Sequence, residues 1–138
     1  MTLEEKEQTF NATADCVSQV SAFVIPQAEE AGVGGKRQMQ LELIIEEVVL
    51  NICHYAYETP SGLLTVRVRQ EAAQFVVEFE DSGKPFNPLE AKEPDVTLGL
   101  EERDGGGLGI FLVRQMADEV HYQRIQDHNR LTLAIKYK

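Results

Sequence analysis

A two-layer α+β sandwich, with a mostly antiparallel sheet and three helices on one face, is the fold class this sequence predicts. Three observations carry the prediction. Three segments repeat apolar residues at helical spacing. Five others are strand candidates, and the later ones alternate apolar and polar residues. The alternating segments come in two pairs joined by only a few residues, too few for a parallel crossover.

The first element, residues 5–11, is a weak strand. From Thr13 to Ala31, Val17, Val20, Val24, Ala28 and Ala31 recur at helical spacing, and Pro26 inside that pattern predicts a kink or break. "GVGGKR", Gly32 to Arg37, reads as a loop, and a second helix follows from about Gln38 to Tyr57. "ETPSG" is a turn. In "LLTVRVRQ", Leu64, Val66 and Val68 alternate with Thr65, Arg67 and Arg69; in "QFVVEFED", Phe75, Val77 and Phe79 alternate with Val76, Glu78 and Glu80. The short "EAA" between them predicts a hairpin. Residues 82–106 are punctuated by Gly and Pro and rich in acids, a length usually found in functional lids or disordered segments. "LGIFLVRQMA" is a third helix, and "DEVHYQRI" and "NRLTLAIKY" close the chain as strands.

The 138 residues fit one domain with a real core, and 43% apolar content excludes a disordered chain. A formal net charge of -10 argues against nucleic-acid binding, which needs a basic footprint. An anionic ligand would need a metal or a nest of donors to overcome that field. No apolar run reaches membrane-spanning length, and "MTLEEKEQTF" does not read as a signal peptide, so a cytoplasmic protein is expected. Cys16 and Cys53 sit inside apolar helical patterns and read as buried free thiols. Several chemistries are missing from the sequence. There is no phosphate-loop signature, because Arg37 follows Lys36 and Glu30 stands where the first glycine should be. There is no H-R-D or D-F-G and no G-x-S-x-G. His54, His121 and His128 have no zinc spacing with either cysteine.

Three constellations remain. The second helix, "LELIIEEVVLNICHYAY", carries Glu47 and Asn51 one turn apart within an apolar run. On a face flanked by Leu43, Ile44 and Val48 they need partners, since burying a neutral polar group unpaired costs roughly 2–7 kcal/mol. An amide oxygen suits a Mg²⁺ ion that keeps most of its water, and a neighbouring Glu can accept a proton from a nucleophile. Asp81 shares its strand phase with Phe75, Val77 and Phe79, so it points to the core side at a strand end, followed by "SGKPF". A carboxylate there accepts hydrogen bonds and donates none, which fits an exocyclic amine such as adenine's. Gly83 permits close approach of backbone to a ligand. Last, Gly105, Gly106, Gly107 and Gly109 in "DGGGLGIFLV" lead into an apolar helix, where unobstructed backbone N–H groups suit phosphate.

Taken together and in this order, "EEVVLN" resembles the E-x-x-x-N box of the GHKL ATPase superfamily, "DSGKPF" its D-x-G-x-P-F box, and "GGGLGIFLV" its glycine box. Within that superfamily the length and "NICHYAY" resemble the anti-sigma factor serine kinases. The preceding dimerisation helix of sensor histidine kinases and the extra domains of the larger relatives are not found in the sequence. The resemblance implies a Bergerat-type, histidine-kinase-like ATP-binding domain over residues 1–138, with an ATP lid at about 84–106. It implies Glu47 as catalytic base and Asn51 as holder of Mg²⁺. It implies Asp81 and Gly83 at adenine and Arg103, Gly105, Gly107, Leu108 and Gly109 around the phosphates. On this reading Glu47 and Asn51 are satisfied by Mg–ATP rather than by the core. The implied activity is ATP-dependent serine/threonine phosphorylation by an anti-sigma factor, with a sigma factor and an anti-anti-sigma factor as protein partners. It leaves room for a homodimer and implies no direct nucleic acid or membrane partner. Two departures stand out: Tyr55 occupies a position where relatives often have His, and Arg103 lies two residues off one common pattern for a γ-phosphate contact. The sequence therefore leaves a second function open, an ATP-binding module that holds a partner without phosphoryl transfer.

Overall fold

A computed structural model describes residues 5–13, 15–53, 62–85, 87 and 107–137. The order is β1 (Lys6–Asn11), α1 (Cys16–Ala31), α2 (Gly35–Asn51), β2 (Leu63–Glu71), β3 (Gln74–Asp81), α3 (Gly107–Met116), β4 (Glu119–Ile125) and β5 (His128–Lys136). The strands form one sheet in the order β1-β2-β3-β5-β4, antiparallel at every pairing. The helices cover one face, so the two-layer sandwich read from the sequence is the fold. The proposed lid, with Arg103 and Gly105, lies almost wholly outside the described residues, as do His54 and Tyr55 to Tyr57.

Alternation makes the core. Leu64, Val66 and Val68 of β2, Phe75, Val77 and Phe79 of β3, and Leu131, Leu133 and Ile135 of β5 are all buried in phase beneath the helices. The other face of β3 is not simply solvated as alternation alone would suggest. Val76 and Glu78 are buried as well, because β3 is the central strand and charged neighbours fold over it. Arg67 reaches Glu7, Glu78 and Glu80, and Arg130 reaches Glu78 and Glu80, an ion-pair lattice across four strands.

The expected break at Pro26 does not occur: α1 runs through it. A proline inside a helix costs about 3 kcal/mol. Val20, Val24 and Ala28, all fully buried on either side of it, return more than that, since one buried Val contributes roughly 1.5–3 kcal/mol. The helix ends in a Schellman turn. Gly32 takes the left-handed conformation at φ 105°, its N–H bonds Glu29 O at 3.1 Å, and Val33 N–H bonds Ala28 O at 3.0 Å. The loop is therefore shorter than the expected "GVGGKR". Gly34 is extended and caps α2, whose first turn closes through Gln38 N–H to Gly34 O at 2.9 Å. α2 thus begins three residues before the expected start, and its regular part ends at Asn51, where a wider π-helical turn follows at residues 52–53.

Candidate functional site

Glu47 and Asn51 occupy the last turn of α2, among buried Ile44, Val48 and Val49; Leu43, expected beside them, is exposed. Asn51 is only 5% exposed. Its Nδ2 donates to the Glu47 backbone carbonyl at 2.7 Å. A carbonyl only accepts, so this bond fixes the orientation of the amide and leaves Oδ1 as its acceptor end. The helix itself therefore supplies one partner that the sequence reading had assigned wholly to a ligand. The half-buried Glu47 carboxyl is pushed above its usual 4.5, first by burial and then by the neighbouring charge of Glu46. A carboxylate raised in this way is a better proton acceptor near neutral pH than an ordinary glutamate.

Asp81 ends β3 on the core face, as its strand phase requires, and is 5% exposed. It belongs to a row that crosses the whole sheet. Phe10 of β1 pairs with Leu64, Leu64 with Asp81, Asp81 with Asn129 of β5, and Asn129 with Arg124 of β4. Among the described residues the carboxylate is held through Oδ1, by Gly83 N–H at 2.9 Å and by Asn129 Nδ2 at 2.9 Å. Burial raises the Asp81 carboxyl above its usual value; the Asn129 and Gly83 hydrogen bonds and the charges of Arg124 and His128 oppose that shift. The turn after Asp81 is clamped from the β4–β5 hairpin. Asn129 Nδ2 also donates to Lys84 O at 2.8 Å, and Arg124 Nη1 donates to Gly83 O at 2.8 Å.

The third constellation is the start of α3. Gly107 is its first residue, and Leu108 and Gly109 lie in its first turn. The first N–H groups of a helix lack intrahelical acceptors and can meet an anion. Arg37, in the first turn of α2, donates to Met116 O at the last residue of α3 at 3.1 Å. The start of one helix thus meets the end of the other, which directs Gly107 toward the Asn51 end of α2. The thiol of Cys16, at the start of α1, lies against that of Cys53, two residues past Asn51. Both are free, as the sequence reading expected, and burial pushes Cys53 up to about 11. Through them the start of α1 joins the same end.

Sequence reasoning missed Asn129, Tyr122 and Arg124. A signal for Asn129 was present, since it stands in phase with Leu131, Leu133 and Ile135, a polar residue at an apolar position as Asp81 is. Tyr122 and Arg124 needed the register of the closing hairpin. Among the described residues no group of three or more His, Cys, Asp or Glu side chains could hold a metal. A metal at Asn51 would take its remaining ligands from phosphate and water, which suits Mg²⁺.

The chain matches the family model of the histidine kinase-like ATPase domain over residues 10–135. It is 30% identical over 95 residues to the serine/threonine-protein kinase BtrW of Bordetella bronchiseptica, a match covering 67% of this chain and 66% of that protein, just under two thirds of its length. It is 26% identical over 133 residues to the anti-sigma F factor of Caldanaerobacter subterraneus, covering 96% of this chain and 87% of that one. Among solved structures, the RsbU and RsbW domains of a Mycobacterium tuberculosis protein superpose with a TM-score of 0.67 at 17% identity, over 97% of this chain and 32% of that one. This last likeness concerns the fold.

Proposed function

The chain belongs to the histidine kinase-like ATPase domain family, and from that premise we propose that it is an anti-sigma factor that phosphorylates a serine or threonine of an anti-anti-sigma protein with ATP. The observation that carries this reading is the pair Glu47 and Asn51 at the end of α2, one a carboxylate raised by burial and the other an amide whose donor end is committed to its own helix. The names of two relatives, a serine/threonine-protein kinase and an anti-sigma factor, support the same class.

In this reading Asp81 and Gly83 receive the adenine, and the N-terminus of α3, with Gly105, Gly107, Leu108 and Gly109, receives the phosphates. Arg103, outside the described residues, is the side chain this reading assigns to the γ-phosphate. Asn51 would hold Mg²⁺ through Oδ1, and the ion would supply neutralisation of phosphate charge. Glu47 accepts the proton of the attacking hydroxyl. Positioning and charge neutralisation supply most of the acceleration, as in other phosphoryl transfers. Backbone donors and the metal also offset the repulsion between ATP and a protein of net charge -10.

The experiment is phosphoryl transfer from γ-labelled ATP to a purified anti-anti-sigma protein. Glu47→Gln is expected to lower transfer by about two orders of magnitude or more for loss of a general base, while ATP binding stays within about twofold of wild type, as expected of a group that acts in the transition state. Transfer unaffected by Glu47→Gln would remove the base from this reading. Stable complexes with no phosphorylated partner under any condition would establish the non-transferring module instead.

A further inference from the structure

The proposed function asks of Asp81 only that it accept an amine hydrogen. The structure surrounds it with a second set of side chains which that role does not explain. Asn129 Oδ1 accepts from the Tyr122 hydroxyl at 2.5 Å. A hydroxyl can donate or accept, so the Asn129 amide is oriented by its other two partners, a carboxylate and a carbonyl that only accept. The two hydrogens of Nδ2 are then directed to Asp81 Oδ1 at 2.9 Å and Lys84 O at 2.8 Å. Oδ1 of Asp81 thus takes the two donors found among the described residues, Gly83 N–H and Asn129 Nδ2, and Oδ2 is the oxygen that a ligand amine would meet.

We propose that Tyr122 and Asn129 are positioning residues for purine recognition: Tyr122 holds the amide oxygen of Asn129 in place, and Asn129 turns Asp81 so that Oδ2 faces the exocyclic amine of the base. The proposal rests on the reading of Asp81 as the adenine acceptor. Its physical content is directional. Were the Asn129 amide rotated by half a turn, its carbonyl oxygen would face the Asp81 carboxylate, and two acceptors would repel. Asp81 would then turn away or take up a proton, and either change spoils its acceptance from an amine. Leu64, opposite Asp81 on β2, has no donor to replace Asn129. Arg124 from β4 and His128 from β5 act on Asp81 through their charge, and Arg124 holds Gly83 O. Neither fixes which carboxylate oxygen is presented. Tyr122 is half-buried at the edge of the core, so deleting its hydroxyl alone leaves the ring packed.

The test is calorimetric titration of the full chain, in Mg²⁺, with ATP and with purine riboside triphosphate, which lacks the exocyclic amine. The ratio of the two affinities reads the worth of the amine alone. Wild type is expected to prefer ATP. Tyr122→Phe should lower that preference about fivefold and Asn129→Leu at least as much, the size of one hydrogen bond, with the analogue binding nearly as in wild type. A structural role alone would weaken both nucleotides equally and leave the ratio unchanged. Asp81→Ala separates the two claims. If it leaves the ratio at the wild-type value, Asp81 is not the amine acceptor and both readings fall. If it collapses the ratio while Tyr122→Phe and Asn129→Leu keep it, Asp81 stands and the relay is overturned. Tyr122→Phe, the mildest change, keeps the test decisive should Asn129→Leu fail to fold.

Discussion

The ionised carboxylate of Glu47 is expected to cost the fold stability. The carboxyl binds a proton more tightly in the folded chain than in the unfolded one. The unfolded chain therefore releases its proton first as pH rises, and the folded state loses stability from about the usual 4.5 up to the raised value. Above that window the whole cost is present. Glu47→Gln should consequently raise the melting temperature at pH 7, and the gain should vanish below about pH 4.5. A melting temperature that falls at pH 7 would show that the charge is stabilised by a protein partner. Asp81 has the same sign, and for it the consequence falls on ligand binding. Since its carboxyl is raised by burial, ATP affinity should decline on acidification at a pH above the ordinary aspartate range, a shift that titration across pH 4 to 7 would reveal. The sequence disclosed both residues for one reason, a polar side chain at an apolar phase. It did not disclose their local partners, since the Asn51 bond to Glu47 O depends on rotamer and the Asn129 bond on strand register.

Arg37 shows how much one side chain can tie together at the level of elements. From the start of α2 it forms an ion pair with Asp118, donates to Met116 O at the end of α3, and reaches Lys136 O of β5 at 3.3 Å. Asp118 in turn accepts from Lys136 N–H at 2.8 Å. The pair is only partly exposed, and bonds to charged groups contribute more than neutral ones. Arg37→Ala should cost about 1–3 kcal/mol by chemical denaturation. Arg37→Lys should recover only part, because an ammonium cannot fork between several acceptors. The β3 strand makes the opposite kind of contribution. Phe79 is buried in the sheet centre, and Phe79→Ala should cost about 3–5 kcal/mol from lost burial and the cavity left behind. At this scale the strands were legible almost to the residue, since alternation and short turns fix them. The helix limits were less so. Pro26 and the glycines Gly34 and Gly35 are local breaking signals, and burial of Val20, Val24 and Ala28 and capping by Gly34 override them. That competition is settled by tertiary packing, which a local window cannot contain.

The whole molecule joins an acidic protein to an acidic ligand. A net charge of -10 repels ATP at long range, so the proposed reading places donors and a cation within the site to offset it. The antiparallel sheet places Asp81 at one end of its central strand. The pairing of Arg37 with the end of α3 directs Gly107 toward the Asn51 end of α2, and the contact between Cys16 and Cys53 brings α1 to that end. Among the described residues no helix is long and apolar enough to cross a membrane. The central claim is that this end holds ATP through a metal on Asn51. It is tested most directly by calorimetric titration with ATP, with and without Mg²⁺, for wild type and Asn51→Ala. The account predicts binding by wild type in Mg²⁺ that is lost when either the metal is chelated or Asn51 is truncated, with no further loss when both are removed. Equal affinity with and without Mg²⁺, or an Asn51→Ala protein that binds Mg–ATP as wild type does, would contradict it.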